Sequence, residues 1–173
     1  MSSFIVWMIV INTLFWLVCC LGTAHVVRFL PKSWYEKNDW FFAEHSFEKK
    51  LYKKIRLDRW KDKLPEGGGL WKFQKKELHE TLTLEYTDRF ILETKYGEVG
   101  HWCMAVLGFA CIWVNPSSYA NVALICAIVN VIVQIPFCLI QRYNRPRLIR
   151  LKSRLARKNT QSHTTKPQTD AGV

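Results

Sequence analysis

Charge is missing from two long stretches of this sequence. Residues 1–27 and residues 99–141 contain no Asp, Glu, Lys or Arg, so all 25 basic and all 14 acidic residues lie in 28–98 and 142–173. A soluble nucleic-acid-binding protein carries its cations on a hydrated surface. The segregation seen here excludes that class and a nucleic-acid partner, despite the net charge of +11. The pattern indicates a protein that crosses a membrane.

Metal-site and disulfide patterns are also missing. The six cysteines lie in the uncharged stretches, and none has metal-ligand spacing to a histidine or the arrangement of a secreted disulfide framework. Cysteines in such places are typically small apolar packing residues. The sequence has no GxSxG, HExxH or Walker A motif. We therefore expect neither a metal nor a bound cofactor.

Three membrane-spanning helices are predicted from the two uncharged stretches. One span needs about 20 apolar residues, and residues 4–24 supply the first. The stretch 99–141 is long enough for two, and its turn signal Asn115-Pro116-Ser117-Ser118 divides it into spans at 101–114 and 119–140. The predicted fold class is an all-α integral membrane protein with about three transmembrane helices and a cytoplasmic, partly interfacial helical segment.

The cations predict which side of the membrane each segment faces. Loops rich in Lys and Arg stay on the cytoplasmic side, and both 28–98 and 142–173 are of this kind. Three spans then put the N-terminus and the 115–118 turn outside, in a multi-pass protein of the cell membrane. Residues 1–27 are read as an uncleaved anchor. The alternative is a signal peptide cleaved near Gly22-Thr23-Ala24, which is disfavoured because no cation precedes the apolar run.

The charged segment 28–98 contains several local patterns. Phe47, Leu51 and Ile55 recur at four-residue spacing among lysines, which is typical of a helix lying on the membrane surface. The same stripe also fits packing against the bundle. Alternation from Thr81 to Thr87 indicates a strand, and Thr87 is the predicted N-cap of the helix that enters the second span.

The C-terminal tail divides into two parts. Residues 142–158 are rich in Arg and Lys around a narrow leucine stripe, which predicts a basic segment lying along an anionic membrane surface. Residues 159–173 are polar and aperiodic, which is typical of disorder. The predicted order along the chain is thus an anchor at 1–27, a cytoplasmic or interfacial segment at 28–98, a transmembrane hairpin at 99–141, and the two parts of the tail.

One candidate catalytic cluster lies where the charged segment meets the second span. On a helix, Thr94, Glu98 and His101 share one face, because positions three and four apart are neighbours. A carboxylate beside an imidazole orients the ring and makes it a better general base. Two plainer interpretations are that Lys95 pairs with Glu98 and that His101 only marks the interface.

A second candidate cluster begins the tail. The run Gln141-Arg142-Tyr143-Asn144-Arg145-Pro146-Arg147 combines arginines with two side-chain amides. Guanidinium groups match the oxygens of phosphates in pairs, so these arginines are candidates to hold a phosphorylated donor. The plainer interpretation is a positive-inside anchor.

These clusters resemble those of a known family. The resemblance is carried by Arg59-Trp60-Lys61-Asp62-Lys63-Leu64, by Glu93-Thr94-Lys95 with Glu98 and His101-Trp102, and by the run from Gln141 to Leu148. Their order and the chain length are similar to glycosyl-diaponeurosporenoate acyltransferase, the family of small membrane enzymes that completes staphyloxanthin synthesis. The resemblance implies transfer of a fatty acyl group to a sugar hydroxyl of a glycosylated carotenoid acid or a related glycolipid, among membrane lipids. The glycines at 67–69 and the 115–118 turn depart from the family and leave the acceptor open.

For that reaction, the chemistry of the residues gives each candidate a role. His101 accepts the proton of the acceptor hydroxyl, and Glu98 orients the imidazole ring of His101. Asn144 or Gln141 donates a hydrogen bond to the developing oxyanion. The phosphates of the donor, expected to be acyl-coenzyme A, are bound by Arg142, Arg145 and Arg147. Transfer is expected to be direct, without a covalent enzyme intermediate.

Two other functions fit the same sequence. A non-catalytic scaffold for enzymes of a lipid pathway requires the cations for their charge alone. A lipid-modifying methyltransferase is also compatible, because membrane methyltransferases can lack a glycine-rich adenosine-binding motif. No pattern in the sequence gives the acyl chain length or the oligomeric state.

Overall fold

The computed structural model describes residues 2–64 and 83–164, and all regular structure in these residues is helical. The predicted all-α class is confirmed. The helices are α1 Ser2–Phe29, α2 Lys32–Lys37, α3 Asp39–Phe42, α4 Ser46–Lys54, α5 Leu57–Trp60, α6 Leu84–Leu107, α7 Cys111–Val114 and α8 Ala120–Thr164. Short 3-10 turns follow α5, link α6 to α7, and precede α8.

Three helical stretches are long and apolar enough to cross a membrane, as the sequence predicts. They cover Ser3–Phe29, Leu84–Val114 and Ser117–Gln161. The second and third are longer than the predicted 101–114 and 119–140, because the charged flanks continue the same helices. The predicted span 101–114 alone is shorter than the about 20 residues that a crossing needs, and α6 supplies the missing length because it begins well before the apolar run.

The start of α6 differs from the prediction. Thr83, not Thr87, is the N-cap, and its hydroxyl accepts a hydrogen bond from the backbone N–H of Tyr86 at 3.1 Å. Thr87 lies inside the helix and its hydroxyl donates to the Thr83 carbonyl at 2.9 Å. The predicted strand is therefore wrong for residues 84–87, because a capped first turn satisfies backbone groups that a lone strand leaves unpaired. Residues 81–82 lie outside the described residues.

The three long helices form a bundle with α6 in the middle. Helix α6 runs antiparallel to its neighbours, since Asn115 follows its continuation and hydrogen-bonds Asn12 of α1, while Glu93 near its start pairs with Arg28. Small residues allow the close approach of α8. A Cβ atom on Gly108 would lie 2.3 Å from the Asn130 Nδ2 atom of α8, so no larger residue fits there unless Asn130 moves.

The outward faces of the bundle are apolar. Val18 and Val26 of α1 are 68% and 62% exposed, and Ile125 and Ile132 of α8 are each 60% exposed. In water such a continuous apolar surface is unfavourable, whereas lipid tails cover it at no cost. The exposed side chains therefore agree with three membrane spans.

The short helices α2 to α5 pack against one end of the bundle, which we call the basic end. Tyr35 is fully buried there, its hydroxyl donates to the Val27 carbonyl at 2.6 Å, and burial raises its pKa to about 12. The buried face of α4 is formed by Glu48 and Tyr52, while Phe47 is 62% exposed. The predicted apolar stripe of this helix is thus not its buried face, because Glu48 finds a charged partner on α8.

Helix α8 continues far beyond the third span. It passes through the boundary at 141–142 without interruption, so the basic segment 142–158 is the extension of a membrane helix. Residues 159–164 are also helical, contrary to the predicted disorder, and 165–173 lie outside the described residues. One continuous helix therefore connects the membrane interior to the basic end.

Candidate active site

A buried carboxylate joins the two helices that carry the predicted functional residues. Glu98 of α6 is fully buried, and its two oxygens lie 2.6 Å from Arg142 Nη1 and 2.5 Å from Arg145 Nη2 of α8. A buried carboxylate is tolerated only when it is paired and hydrogen-bonded. We call Glu98, Arg142, Arg145, Glu48 and Thr94 the buried ion cluster.

Arg145 is bonded entirely to the protein. It is 1% exposed, its Nε and Nη2 atoms donate to the hydroxyl and carbonyl of Thr94 at 3.0 Å, and Nη1 donates to the Phe42 carbonyl at 3.0 Å. Its guanidinium also lies 5.0 Å above the Phe42 ring. This one side chain therefore ties α8 to both α6 and α3.

Arg142 extends the cluster to α4. Its Nε donates to Glu48 at 2.7 Å, and its Nη atoms donate to the carbonyls of Phe41 and Ala43. The Tyr52 hydroxyl donates to the other Glu48 oxygen at 2.9 Å. Burial raises the pKa of Tyr52, and the bond to Glu48 adds to the rise, so this hydroxyl remains a donor at neutral pH.

These contacts change the roles expected of Glu98, Arg142 and Arg145. Both Glu98 oxygens are bonded to guanidinium groups, which bind a carboxylate more strongly than a neutral imidazole does. The predicted pairing of Glu98 with His101 is therefore replaced. The arginines are directed at protein acceptors, which favours a structural role over binding the donor. Lys95, the alternative partner of Glu98, donates instead to the Tyr35 carbonyl at 2.8 Å.

His101 has a different partner from the one expected. Its Nδ1 atom lies 2.7 Å from Gln134 Oε1 of α8, and its ring stacks on Phe137 with the ring centres 4.9 Å apart. Thr94, Glu98 and His101 all contact α8, so the predicted shared face is confirmed. Two fixed contacts hold the imidazole plane between α6 and α8.

A chain of amides determines which nitrogen of His101 carries the proton. The Met104 carbonyl can only accept a hydrogen bond, so the group of Asn130 that lies 3.0 Å from it is the Nδ2 donor. The other end of the amide, Asn130 Oδ1, therefore faces Gln134. Gln134 Nε2 donates to that oxygen at 3.0 Å, which leaves Gln134 Oε1 to accept from His101. His101 Nδ1 therefore carries a hydrogen, and in the neutral ring the free lone pair is on Nε2.

His101 also lines a cavity of about 250 Å³ between α1, α6 and α8. Gln141 and the ion pair of Arg28 with Glu93, 2.5 Å apart, contribute polar groups to its wall. The remaining wall is mainly apolar and includes Leu21 and Val27 of α1. The cavity thus combines one imidazole, a few polar groups and an apolar side, as small-molecule sites generally do.

The structure separates the remaining predicted site residues. Gln141 shares the His101 cavity, and its side chain lies against Gly97. Asn144 is half-buried and does not line this cavity. Arg147 lies at the basic end, where its Nη1 donates to the Tyr143 carbonyl at 2.6 Å.

Sequence analysis missed Gln134, Asn130 and Glu48. The first two are side-chain amides four residues apart in an otherwise apolar span, a pattern that indicates a polar helix face inside a membrane. That signal was available in the sequence. Glu48 lies in a lysine-rich stretch of the sequence. No pattern in the neighbouring residues indicates that its partner is Arg142, which is far away along the chain.

Comparison with known proteins agrees with the resemblance seen in the sequence. The family model described as glycosyl-4,4'-diaponeurosporenoate acyltransferase matches residues 31–154. A protein of that name from Staphylococcus haemolyticus (strain JCSC1435) is 29% identical over 142 residues, covering 80% of this chain and 81% of the relative. Two from Staphylococcus aureus, strains MRSA252 and Newman, are 27% and 28% identical over 150 residues, covering 84% of this chain and 88% of each relative. No solved structure matches the chain.

The matched range contains the whole site except the α1 wall of the cavity. It includes the buried ion cluster, the amide chain from Asn130 to His101, and Gln141, whereas α1 precedes it. The match extends over more than half of the chain. This protein is therefore an acyltransferase that belongs to the glycosyl-4,4'-diaponeurosporenoate acyltransferase family.

Proposed function

We propose that this acyltransferase esterifies a sugar hydroxyl of a glycosylated carotenoid acid, or of a related glycolipid, at the cytoplasmic side of the membrane. The observation that carries the proposal is His101, whose Nδ1 is held by Gln134 and which lines a cavity between membrane helices. Among the described residues, Nε2 of His101 has no hydrogen-bond partner. The acceptor class comes from the name of the family and its relatives.

The His101 cavity suits an acceptor that is part sugar and part hydrocarbon. Sugar hydroxyls need donors and acceptors, which Gln141, Arg28 and Glu93 offer at the wall. A long apolar chain needs a lipid-like surface, which α1 provides through Leu21 and Val27. An acceptor lying along α1 thus places its sugar next to His101.

The proposed chemistry is a direct acyl transfer. Nε2 of His101 removes the proton of the acceptor hydroxyl as its oxygen attacks the carbonyl carbon of an acyl thioester. The resulting oxyanion accepts a hydrogen bond from the Gln141 amide, which shares the cavity with His101. The tetrahedral intermediate then collapses to the ester, and the leaving thiolate takes the proton from His101.

The proposed donor is acyl-coenzyme A, with no further cofactor. Asn144, the other candidate for stabilising the oxyanion, lies one helical turn along α8 from Gln141 and is the second choice because it does not line the His101 cavity. The proposal includes a cytoplasmic orientation of the basic end, which its many cations favour, because coenzyme A thioesters are made on that side.

Lipid mass spectrometry tests this function in a pigment-free host that makes the glycosylated carotenoid acid. Cells that express the chain should contain a new species heavier by one acyl chain, and cells with an empty vector should lack it. A well-expressed chain without any acylated product would exclude this acceptor and leave another glycolipid, or a scaffold role, as the better account.

A further inference from the structure

A second cavity, of about 520 Å³, lies at the basic end between α4 and α8. Four cations and two carboxylates contribute to its wall: Lys49, Lys53, Arg147, Arg150, Glu44 and Asp58. The cavity therefore has an excess of positive charge. It is separate from the His101 cavity, with which it shares no lining residue.

The cations of this cavity differ from those of the buried ion cluster. Arg142 and Arg145 are bonded to buried carboxylates and carbonyls. By contrast, the side chains of Lys53 and Arg150 have no hydrogen bond or ion pair among the described residues. The helix α8 thus directs one set of cations into the protein and another into an open cavity.

Part of the cavity wall is held in place by contacts within the protein. The guanidinium of Arg147 lies over the Tyr143 ring, 3.3 Å from its centre, and donates to the Tyr143 carbonyl. Tyr143 in turn packs edge-on against Tyr52 of α4, with ring centres 5.3 Å apart. Arg147 is therefore partly immobilised, which lowers the entropic cost of forming bonds to a ligand.

We propose that this cavity binds the phosphate groups of the acyl donor, a deepening that rests on the proposed function. Guanidinium and ammonium groups from two helices form charge-assisted hydrogen bonds to phosphate oxygens. His101 contacts α8 at Phe137, and Arg147 lies ten residues further along, about 15 Å at 1.5 Å per residue. The phosphates and the reacting carbonyl are therefore separated by an extended arm, as in a phosphopantetheine thioester. An acyl phosphate, in which the carbonyl adjoins the phosphate, does not fit this spacing.

Coenzyme A is the probe for this proposal, with the full chain in phosphatidylcholine nanodiscs. The cavity pair Lys53→Gln with Arg150→Gln removes two side-chain cations that have no hydrogen-bond or ion-pair partner among the described residues, so no such bond is lost there. The control pair Arg154→Gln with Arg157→Gln removes the same charge from exposed positions on α8. We expect the cavity pair to raise the Kd for coenzyme A by at least about tenfold. The control pair should leave it within about twofold.

Competition identifies the chemistry that the cavity recognises. Inorganic pyrophosphate should displace coenzyme A from the wild-type protein, and failure to do so would contradict recognition through phosphate. Equal losses in the cavity and control pairs would reduce the effect to general surface charge and overturn the proposal. The proposal would also be overturned if the cavity pair bound coenzyme A as tightly as the wild type but retained less phosphatidylglycerol from mixed-lipid nanodiscs. The site would then serve a lipid headgroup.

The binding assay contains no glycolipid, so its outcome is separable from that of the proposed function. Coenzyme A binding that depends on the cavity pair, without acylation of the glycosylated carotenoid acid, would contradict the acceptor and leave this assignment standing. Acylation that proceeds unchanged in the cavity pair would contradict the phosphate-binding role of the cavity and leave the proposed acceptor standing.

Discussion

At the scale of single residues, the proposed mechanism depends most on His101, a histidine inside a membrane span. Polar side chains in a span are costly unless they are bonded or used. His101 meets the first condition through Gln134, and the fixed direction of the amide chain leaves Nε2 free for chemistry. In the proposed mechanism Gln134 is therefore the positioning residue, a role that sequence analysis assigned to Glu98.

Replacing Gln134 with Leu should lower kcat while changing KM little, because the imidazole then loses the bond that selects its proton-bearing nitrogen. We expect a loss of about 10- to 100-fold, as is typical for residues that orient a reactive group. Gln134→Glu should recover part of the rate, since a carboxylate also accepts from Nδ1. Steady-state kinetics of both variants measure this, and equal losses in the two would show a merely structural role.

Gly97 offers a test of Gln141 that leaves every polar group in place. A Cβ atom at Gly97 would lie 3.1 Å from the Gln141 side chain, whereas one at Gly100 would lie 4.0 Å from Val27. Gly97→Ala should displace the amide by a few tenths of an ångström and lower kcat by about tenfold, because small misplacements of a catalytic group are costly. Gly100→Ala, one turn away on the same helix, should leave kcat near the wild-type value. Similar rates for both variants would contradict a role for Gln141 in the reaction.

At the scale of elements, the buried ion cluster fastens α3, α4 and α8 to α6. Breaking a buried pair by removing one partner costs about 3–5 kcal/mol, because it leaves an uncompensated charge. An exposed pair typically contributes about 0–1 kcal/mol. The chain contains both kinds between the same two helices, since Asp88 of α6 and Lys152 of α8 pair at 2.5 Å on the surface.

Glu98→Gln should therefore destabilise the protein severely, while Asp88→Asn should have little effect. We expect a loss of about 3–5 kcal/mol for the first and below about 1 kcal/mol for the second. Unfolding in detergent, followed by circular dichroism, compares them. A Glu98→Gln variant as stable as Asp88→Asn would show that the buried ion cluster does not hold the helices together. The catalytic role that the sequence predicted for Glu98 would then be the better explanation.

The elements also show how far the sequence predicts this structure. Hydropathy and charge identify three spans, because the bilayer imposes a length and a composition on each. The shared face of Thr94, Glu98 and His101 follows from helical spacing. The partners of those residues do not, since they lie on α8 and depend on how two helices pack. The same limit explains why α4 buries Glu48 and Tyr52 instead of its apolar stripe.

At the scale of the whole molecule, the proposed function requires the basic end to face the cytoplasm. The described parts of both cation-rich segments meet at that end, while the turn at 115–118 lies at the other. A membrane-impermeant maleimide should label Ser118→Cys on intact cells and leave Ser153→Cys unlabelled. The opposite pattern would contradict the orientation and the proposed access to a cytoplasmic donor.

The central claim is that His101 is the base of an acyl transfer within the membrane. The most direct test is the rate of acyl transfer from acyl-coenzyme A to the glycosylated carotenoid acid by purified protein in nanodiscs. His101→Ala should lower kcat by about 10²- to 10⁴-fold. Asn12→Leu, which removes another intramembrane amide bonded only at the far end of the bundle, should remain within about twofold. A folded His101→Ala variant that retains the wild-type kcat would contradict the account.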